Sequence, residues 1–293
     1  MAFEKTHEQN AQGHHNFDVS GMPSMMPPAM QLKATKSKDS PVQMKKKDDT
    51  PVWTTTNNWG DQIKRKDHKI RLGKDFKKDM TYTDAWRIMA PKLQQKYLDK
   101  KTKIDCADFS MRVMVEFAYM FELPVRVDDY KAEGTDPSFN NDAGGYKEKN
   151  GKWIDIETGD WKGFADGMQK HYGAADLYNN RKMTSINKDV KFNEGDNLQP
   201  GNLLGYKYDN GTTYHSQTVS EVKDSFWFDF DEDVDYFTAI QGSLSDGKPT
   251  PLFEKDYNFS SFKYNEENEK IRYGNSADVR VMDWNFARFD KNR

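Results

Sequence analysis

Hydrophobic residues follow a helical spacing in the first half of the chain and an alternating spacing after about residue 200. Phe109, Val113, Phe117 and Phe121 recur every four residues, which predicts one buried face of a helix. Pro124 cannot donate a backbone hydrogen bond and stops this helix. A second helix is predicted over residues 82–98, where Thr83 serves as the cap and Pro91 divides the helix into two pieces.

Short apolar runs separated by turn residues predict an antiparallel meander in the second half. Turns such as Asp209-Asn210-Gly211 are typical of tight reversals. The predicted strands are residues 203–208, 214–222, 225–230, 236–242 and 278–284. Residues 128–152 are polar and rich in glycine, asparagine and aspartate, which predicts a long loop. Helices followed by strands indicate an α+β fold.

Composition divides the chain into residues 1–52 and residues 53–293. The first 52 residues contain no Trp, Tyr or Ile and a single Leu, Leu32. Such a segment buries too little apolar surface to offset the entropy of ordering, so we expect a disordered leader. Aromatic residues start at Trp53, and residues 53–293 are predicted to form the folded domain.

Charge and cysteine content exclude several classes of function. The 44 basic and 47 acidic residues are interspersed, so no basic face is offered to nucleic acid. One cysteine excludes an intrachain disulfide and argues against a zinc site. No metal and no cofactor are expected. The sequence has neither an apolar run long enough for a membrane span nor a secretory signal, which predicts synthesis in the cytoplasm and any export by another route.

The single cysteine stands where a helix begins. Asp105 is a good N-cap, and Asp108 three residues later predicts a capping box, which puts Cys106 at the first helical position. Helix-start N–H groups would lower the thiol pKa and could hold a developing oxyanion, with Asp105 and Ala107 beside it. A buried cysteine that only packs is the alternative.

A nucleophilic cysteine needs a base, and His215 is the candidate at the start of a predicted strand. Three of the other histidines lie in the leader and His68 lies in a charged run. His171 is expected to be an ordinary surface or interface residue.

Two segments together resemble the papain-like Cys/His superfamily in its NlpC/P60 and CHAP amidase branches. Asp105-Cys106 at a helix start, the run Leu198–Leu204 and His215 at a strand start match that pattern. Ile240–Ser243 matches the strand that orients the histidine, with Gln241 in place of the acid and Ser243 in place of an asparagine. The departures are Ala-Asp-Phe after the cysteine, Asn202 in place of the common aspartate, and a long insertion that spans the 128–152 loop and residues 153–197.

The resemblance implies a papain-like α+β fold in which the cysteine helix packs on a C-terminal antiparallel sheet. It also implies a cysteine-dependent amide-bond hydrolase of peptide or peptidoglycan, with Cys106 as nucleophile, His215 as base and Gln241 as the orienting group. The same cysteine helix is similar to that of transglutaminase-like proteins, and residues 150–159 imitate their last catalytic segment, with Asp155 as the third residue. Those proteins need a histidine between the two segments, and residues 107–154 contain none.

The leader resembles that of proteins linked to bacterial extracellular contractile injection systems. Pro27–Lys33 and Pro41–Gln43 carry this resemblance. It implies an effector toxin that is packaged in such a particle, delivered to a target cell and countered by an immunity protein. A non-enzymatic cargo or accessory protein on a degenerate papain-like fold is the alternative from another class.

The tryptophans and one acidic run are two further candidate features. Three tryptophans could line a substrate groove or belong to core and rim: Trp153, Trp161 and Trp227. The acidic run Asp229–Asp235 could bind calcium, but it lacks the regular ligand spacing of an EF-hand loop and favours a solvated hairpin tip.

Overall fold

The structure, a computed structural model, has an α+β fold in which four helices precede most of a large antiparallel sheet. It describes residues 50–64, 77, 79–128, 138–147, 153–179, 183–185, 198–223, 236–265, 270–274 and 277–290. Residues 1–49 of the leader, residues 65–76 with His68, the predicted strand at 225–230, Trp227 and the acidic run at 229–235 all lie outside these residues.

The helices are α1 (Tyr82–Asp99), α2 (Cys106–Met120), α3 (Trp161–His171) and α4 (Ala174–Asn179). The strands are β1 (Arg126–Asp128), β2 (Ser138–Asn140), β3 (Gly145–Lys147), β4 (Trp153–Asp155), β5 (Met183–Ser185), β6 (Leu203–Tyr208), β7 (Tyr214–Lys223), β8 (Tyr236–Gln241), β9 (Leu244–Ser245), β10 (Lys248–Pro249), β11 (Phe253–Asn258), β12 (Phe262–Asn265), β13 (Lys270–Tyr273) and β14 (Ala277–Trp284). No helix within the described ranges is long and apolar enough to cross a membrane.

The helix at residues 82–98 is confirmed, but its cap and its continuity differ from the prediction. Thr81 is the N-cap: its hydroxyl accepts from the N–H of Asp84, whose carboxylate accepts from the N–H of Thr81 at 2.8 Å. Thr83 lies inside the helix, and α1 continues through Pro91. The buried face that includes Trp86 explains the continuity, because tertiary packing outweighs the single backbone bond that proline removes.

The long loop predicted at residues 128–152 is wrong in part, because β2, β3 and a short 3₁₀ helix (Asn141–Ala143) fall within it. These strands belong to a four-stranded sheet in the order β1-β2-β3-β4. Phe139 is fully buried, with ring centroids 5.9 Å from Phe164 and 5.7 Å from Tyr172. A single apolar anchor in a polar stretch gives no periodicity by which such a strand is recognised.

The large sheet is antiparallel and curled, and its strand order is β11-β8-β7-β6-β14-β13-β12, with β5 also paired to β14. The predicted meander is confirmed for β6, β7 and β8. The last long strand, β14, returns to pair with β6, which joins the two halves of the sheet. The neighbours β6 and β14 lie far apart in sequence, so local spacing could not predict their pairing.

The two faces of the large sheet have different partners. Leu204, Tyr206 and Val219 belong to an apolar cluster built from the strands themselves, which fills the inner face of the curl. Leu203 and Ile240 alternate to the outer face and join the larger cluster made by the helices. Each fully buried side chain of this size stabilises the fold by roughly 1.5–3 kcal/mol. The helix face predicted from the four-residue spacing is therefore packed on the outer face of the sheet.

Candidate functional site

The cysteine helix is held against β7 by polar bonds as well as by apolar packing. The Asp105 carboxylate caps α2 by accepting the N–H of Asp108 at 2.9 Å. One turn further on, the hydroxyl of Ser110 lies 2.9 Å from the hydroxyl of Thr218 in β7, and both side chains are buried. A buried hydroxyl pair is costly to separate, so it fixes the position of Cys106 along β7.

The predicted capping box is one-sided. No bond between the N–H of Asp105 and the carboxylate of Asp108 is found in the described part of the chain. Burial, followed by the negative charge of Asp105, raises the pKa of Asp108 to about 7, while Arg112 opposes the rise. Asp108 therefore titrates near neutral pH, one turn into the helix that carries the thiol.

His215 lies at the open end of β7, beyond the point where β8 stops. In the β6–β7 ladder His215 is paired with Tyr206, and in the β7–β8 ladder the pairing begins at Thr218. Because side chains alternate along a strand, His215 and Gln217 share the inner face, and Ser216 faces the helices. The strand predicted to begin near His215 is confirmed.

A close approach of two backbones brings the end of β8 to the start of the cysteine helix. A Cβ atom on Gly242 would lie 2.0 Å from the carbonyl oxygen of Ile104 and 2.8 Å from that of Asp105. Only glycine leaves room for this contact. Gln241, the last residue of β8, is thereby held beside Cys106.

Gln241 fixes the tautomer of His215. Its Oε1 atom lies within hydrogen-bond reach of His215 Nε2, and an amide oxygen can only accept, so Nε2 carries the proton. The other ring nitrogen, Nδ1, is then a free acceptor. This is the form that a general base requires.

A second amide and two phenols keep Gln241 in this orientation. Gln217 donates through Nε2 to Gln241 Oε1 at 2.7 Å and to the hydroxyl of Tyr257 at 2.5 Å. Its own Oε1 accepts from the hydroxyl of Tyr206 at 3.0 Å. All four side chains are buried, and this connected network leaves Gln241 no alternative rotation without loss of a bond.

Five of the six predicted site residues line one cavity of about 510 Å³: Asp105, Cys106, His215, Gln241 and Ser243. The sixth, Ala107, is buried behind Cys106 and presents its N–H to the thiol. The rest of the wall is rich in phenol rings, contributed by Tyr206, Tyr208, Tyr214, Tyr257 and Tyr273. Three distant segments of the chain thus meet around the thiol.

The pKa of the Cys106 thiol is raised, whereas its position at a helix start predicts a lowered pKa. Burial raises the pKa of Cys106 above its ordinary 9.0, and the nearby Asp105 carboxylate adds to the rise. The N–H and hydroxyl of Ser216 and the N–H of Ala107 lower it, but by less in total. Desolvation penalises the thiolate more than these donors stabilise it.

The imidazole pKa moves in the opposite direction, again because of burial. Burial lowers the pKa of His215 below 6.5, the bond to Gln241 raises it, and the positive charge of Lys255 lowers it further. At neutral pH the site therefore holds a neutral thiol and a neutral imidazole. An ion pair of thiolate and imidazolium is therefore not the resting state of the site.

Other candidates from the sequence lie elsewhere. His171 is exposed at the end of α3, with its ring 5.7 Å from that of Phe139. Asp155 belongs to β4 of the four-stranded sheet. Trp161 stacks on Tyr119 with centroids 6.0 Å apart and is not in the cavity wall.

Residue patterns alone did not single out Gln217, the tyrosine wall or Lys255. The sequence does contain a pattern that predicts part of the tyrosine wall. Tyr206 and Tyr208 are two residues apart on one strand, so their side chains must share a face. The strand that carries Lys255 and Tyr257 was not predicted, since its polar residues break the alternation. Among the described residues no group of three or more His, Cys, Asp or Glu side chains could hold a metal ion.

Comparisons with protein-family models, with curated proteins and with solved structures give no significant match to this chain.

Proposed function

We propose that the protein is a cysteine-dependent amide-bond hydrolase of papain-like type, acting on peptide or peptidoglycan amides. The observation that carries the proposal is the convergence of Cys106, His215 and Gln241 on one cavity, with His215 held in the tautomer that leaves a free ring nitrogen. A nucleophile, a base and a group that orients the base are the parts that covalent amide hydrolysis needs. The sequence order and the motifs of the resemblance lead to the same three residues.

The reaction begins with the neutral pair. His215 Nδ1 takes the proton of Cys106 as the sulfur attacks the amide carbonyl, which gives a tetrahedral oxyanion. The imidazolium then protonates the leaving amine, and the C–N bond breaks to leave a thioester. Water, deprotonated by His215, attacks the thioester and releases the carboxylic acid and the free thiol. Gln241 stabilises the imidazolium less than a carboxylate would, because it carries no charge.

The oxyanion would be held by a backbone donor at the start of α2. The N–H of Asp108 is already occupied by the Asp105 carboxylate and the N–H of Ala107 is directed to the thiol, so the N–H of Cys106 is the available one. Each such donor is worth roughly 3 kcal/mol of transition-state stabilisation.

The rate of Cys106 alkylation by iodoacetamide tests the pairing. Because the chain has one cysteine, the intact mass reports this thiol alone. We expect a rate at pH 7 that falls only as His215 is protonated below pH 6.5. In His215→Ala we expect a rate lower by about 100-fold or more at pH 7, rising only in the alkaline range.

The matched control is His171→Ala, which removes an exposed histidine far from the cavity wall and should leave the profile unchanged. Equal profiles for wild type and His215→Ala would contradict the proposal and would favour a cysteine that only packs, in a protein that binds a partner. Once a substrate is found, Cys106→Ala should abolish its hydrolysis.

A further inference from the structure

Lys255 is a cation at the mouth of the cavity, close to the reacting groups. It lies on β11 opposite Ala239 of β8, while Gln241 lies opposite Phe253. Lys255 is thus the diagonal neighbour of Gln241 on the same face, with Cα atoms about 7–8 Å apart. It lines the same cavity as Cys106.

The side chain of Lys255 is positioned by phenol rings. Its Nζ lies 4.8 Å from the ring centroid of Tyr257 and 5.6 Å from that of Tyr273. Burial lowers the pKa of this ammonium, but the two tyrosines together raise it above 10.5, so the group is cationic at neutral pH. Contacts with ring faces at an exposed site are worth only about 0.5–1 kcal/mol each.

Within the described residues the positive charge of Lys255 has no internal counterion. In the part of the chain that the structure describes, no carboxylate forms an ion pair with Lys255. The acid in the cavity wall is Asp105, and its carboxylate is bonded to the N–H of Asp108. A cation that is unpaired, oriented by rings and exposed in a cavity is available to an anion from outside.

We propose that Lys255 binds a carboxylate of the substrate and makes the enzyme selective for amides that carry a carboxylate close to the scissile bond. The tyrosines around the cavity supply the walls that hold the rest of such a molecule. This inference rests on the proposed function, since it names the substrate class of the same site. The carboxylate is either the free end of a peptide or an acidic side chain, and the chemistry at Lys255 is the same for both.

Two alkylating reagents of similar size and different charge test this without a known substrate. Iodoacetate carries a carboxylate and iodoacetamide is neutral, and Cys106 is the only thiol that either can alkylate. We expect Lys255→Met to lower the ratio of the iodoacetate rate to the iodoacetamide rate by about 3- to 50-fold, the range for a charge about 7 Å away at effective dielectric constants of 80 to 20. Using the ratio cancels any effect of the variant on the basicity of His215.

Lys255→Arg retains the charge and should retain the ratio, whereas Lys263→Met removes an exposed lysine of β12 and should not change it. In the wild type, the ratio should fall as salt is raised from 0.01 to 1 M, which tests the charge effect without any variant. A ratio that is the same in wild type and Lys255→Met, and unaffected by salt, overturns the inference. If iodoacetamide still reacts through His215 in that case, the proposed function stands.

Protection of Cys106 against iodoacetamide separates the two sources of the carboxylate. N-acetylglycine mimics a peptide end, and N-acetylglutamate α-amide mimics an acidic side chain, each at millimolar concentration beside its neutral amide. Protection by either acid, lost in Lys255→Met, supports the inference and identifies the source. Equal protection by the acids and their neutral amides contradicts it.

Discussion

At the scale of single residues, burial controls both proton-carrying groups of the site. It raises the pKa of Cys106 and lowers that of His215, so each group is held in its neutral form. An amide, Gln241, is compatible with this state because it orients the ring without adding a charge. In the proposed mechanism the proton moves only when a substrate carbonyl is attacked.

The neutral amide of Gln241 beside His215 keeps the pKa of the imidazole lower than a carboxylate would. Gln241→Glu places a carboxylate beside His215 Nε2, which favours the imidazolium and should raise the pKa of His215 by about 1–3 units. In the proposed mechanism the base is the neutral imidazole, so the acid limb of the alkylation profile should move to higher pH by the same amount. The His215 ring can be titrated by NMR beside the rate measurement.

Gln241→Leu is the matched control for this prediction, since it removes the hydrogen bond without adding a charge. Its His215 pKa should not rise, and alkylation should slow because the ring is no longer held. An unchanged His215 pKa in Gln241→Glu would show that residue 241 does not contact the ring.

At the scale of elements, one glycine connects the sheet to the cysteine helix. The backbone of Gly242 packs on the carbonyl groups of Ile104 and Asp105, so neither segment can move without the other. One turn further along α2, the hydrogen bond between the hydroxyls of Ser110 and Thr218 is a second contact between the helix and the sheet. The distance between the thiol and the histidine strand is thus set by contacts outside the side chains of Cys106 and His215.

Gly242→Ala adds only one methyl group, but it should displace the backbone that positions the site. The added methyl would lie 2.0 Å from the carbonyl oxygen of Ile104, and backbone atoms cannot rotate away. We expect a loss of about 1–3 kcal/mol in the free energy of unfolding, together with slower alkylation of Cys106. Urea unfolding and the alkylation rate are the measurements.

Gly60→Ala provides the comparison, since a Cβ there would meet no atom within 4 Å. It should be neutral or stabilising by about 0.4–1 kcal/mol. If Gly242→Ala behaves like Gly60→Ala in both measurements, the backbone contact does not position the site.

At the scale of the whole molecule, the large sheet serves two purposes with its two faces. The outer face joins the helical core through residues such as Leu203 and Ile240, while the inner face carries the apolar cluster of the strands and, at one end, the tyrosine-lined cavity. The inner face thus combines an apolar core with one end of the candidate site, and the outer face holds the helix that carries Cys106.

The leader is the other large-scale feature, and its role as a loading segment remains a hypothesis. Val52 is fully buried, and its N–H donates to the carbonyl of Asn141 at 2.7 Å, so a truncation should begin at Thr50. Deletion of residues 1–49 should leave the melting temperature and the Cys106 alkylation rate unchanged, and abolish copurification with injection particles. A full-length chain with residues 27–43 in scrambled order is the control of equal composition and should also fail to load. Normal loading of either variant would contradict the hypothesis.

Local patterns determined much of the secondary structure. The four-residue spacing, Asp105 and Pro124 placed the helix near residues 106–120, and the strands at 203–208 and 278–284 agree with the observed ones to within a residue. Such features depend on caps and on side-chain periodicity, which are set by interactions between residues close in sequence. The α+β class follows from their order.

Only the tertiary structure decided what surrounds the thiol. The helix start alone predicts a lowered thiol pKa, but burial by the sheet raises it. Gln217 and Lys255 reach the cavity through strand pairings, and a one-residue change of register would turn either side chain to the other face. Desolvation and register are properties of segments far apart in the chain, so the sequence alone singled out Cys106, His215 and Gln241 as candidates but did not predict their surroundings.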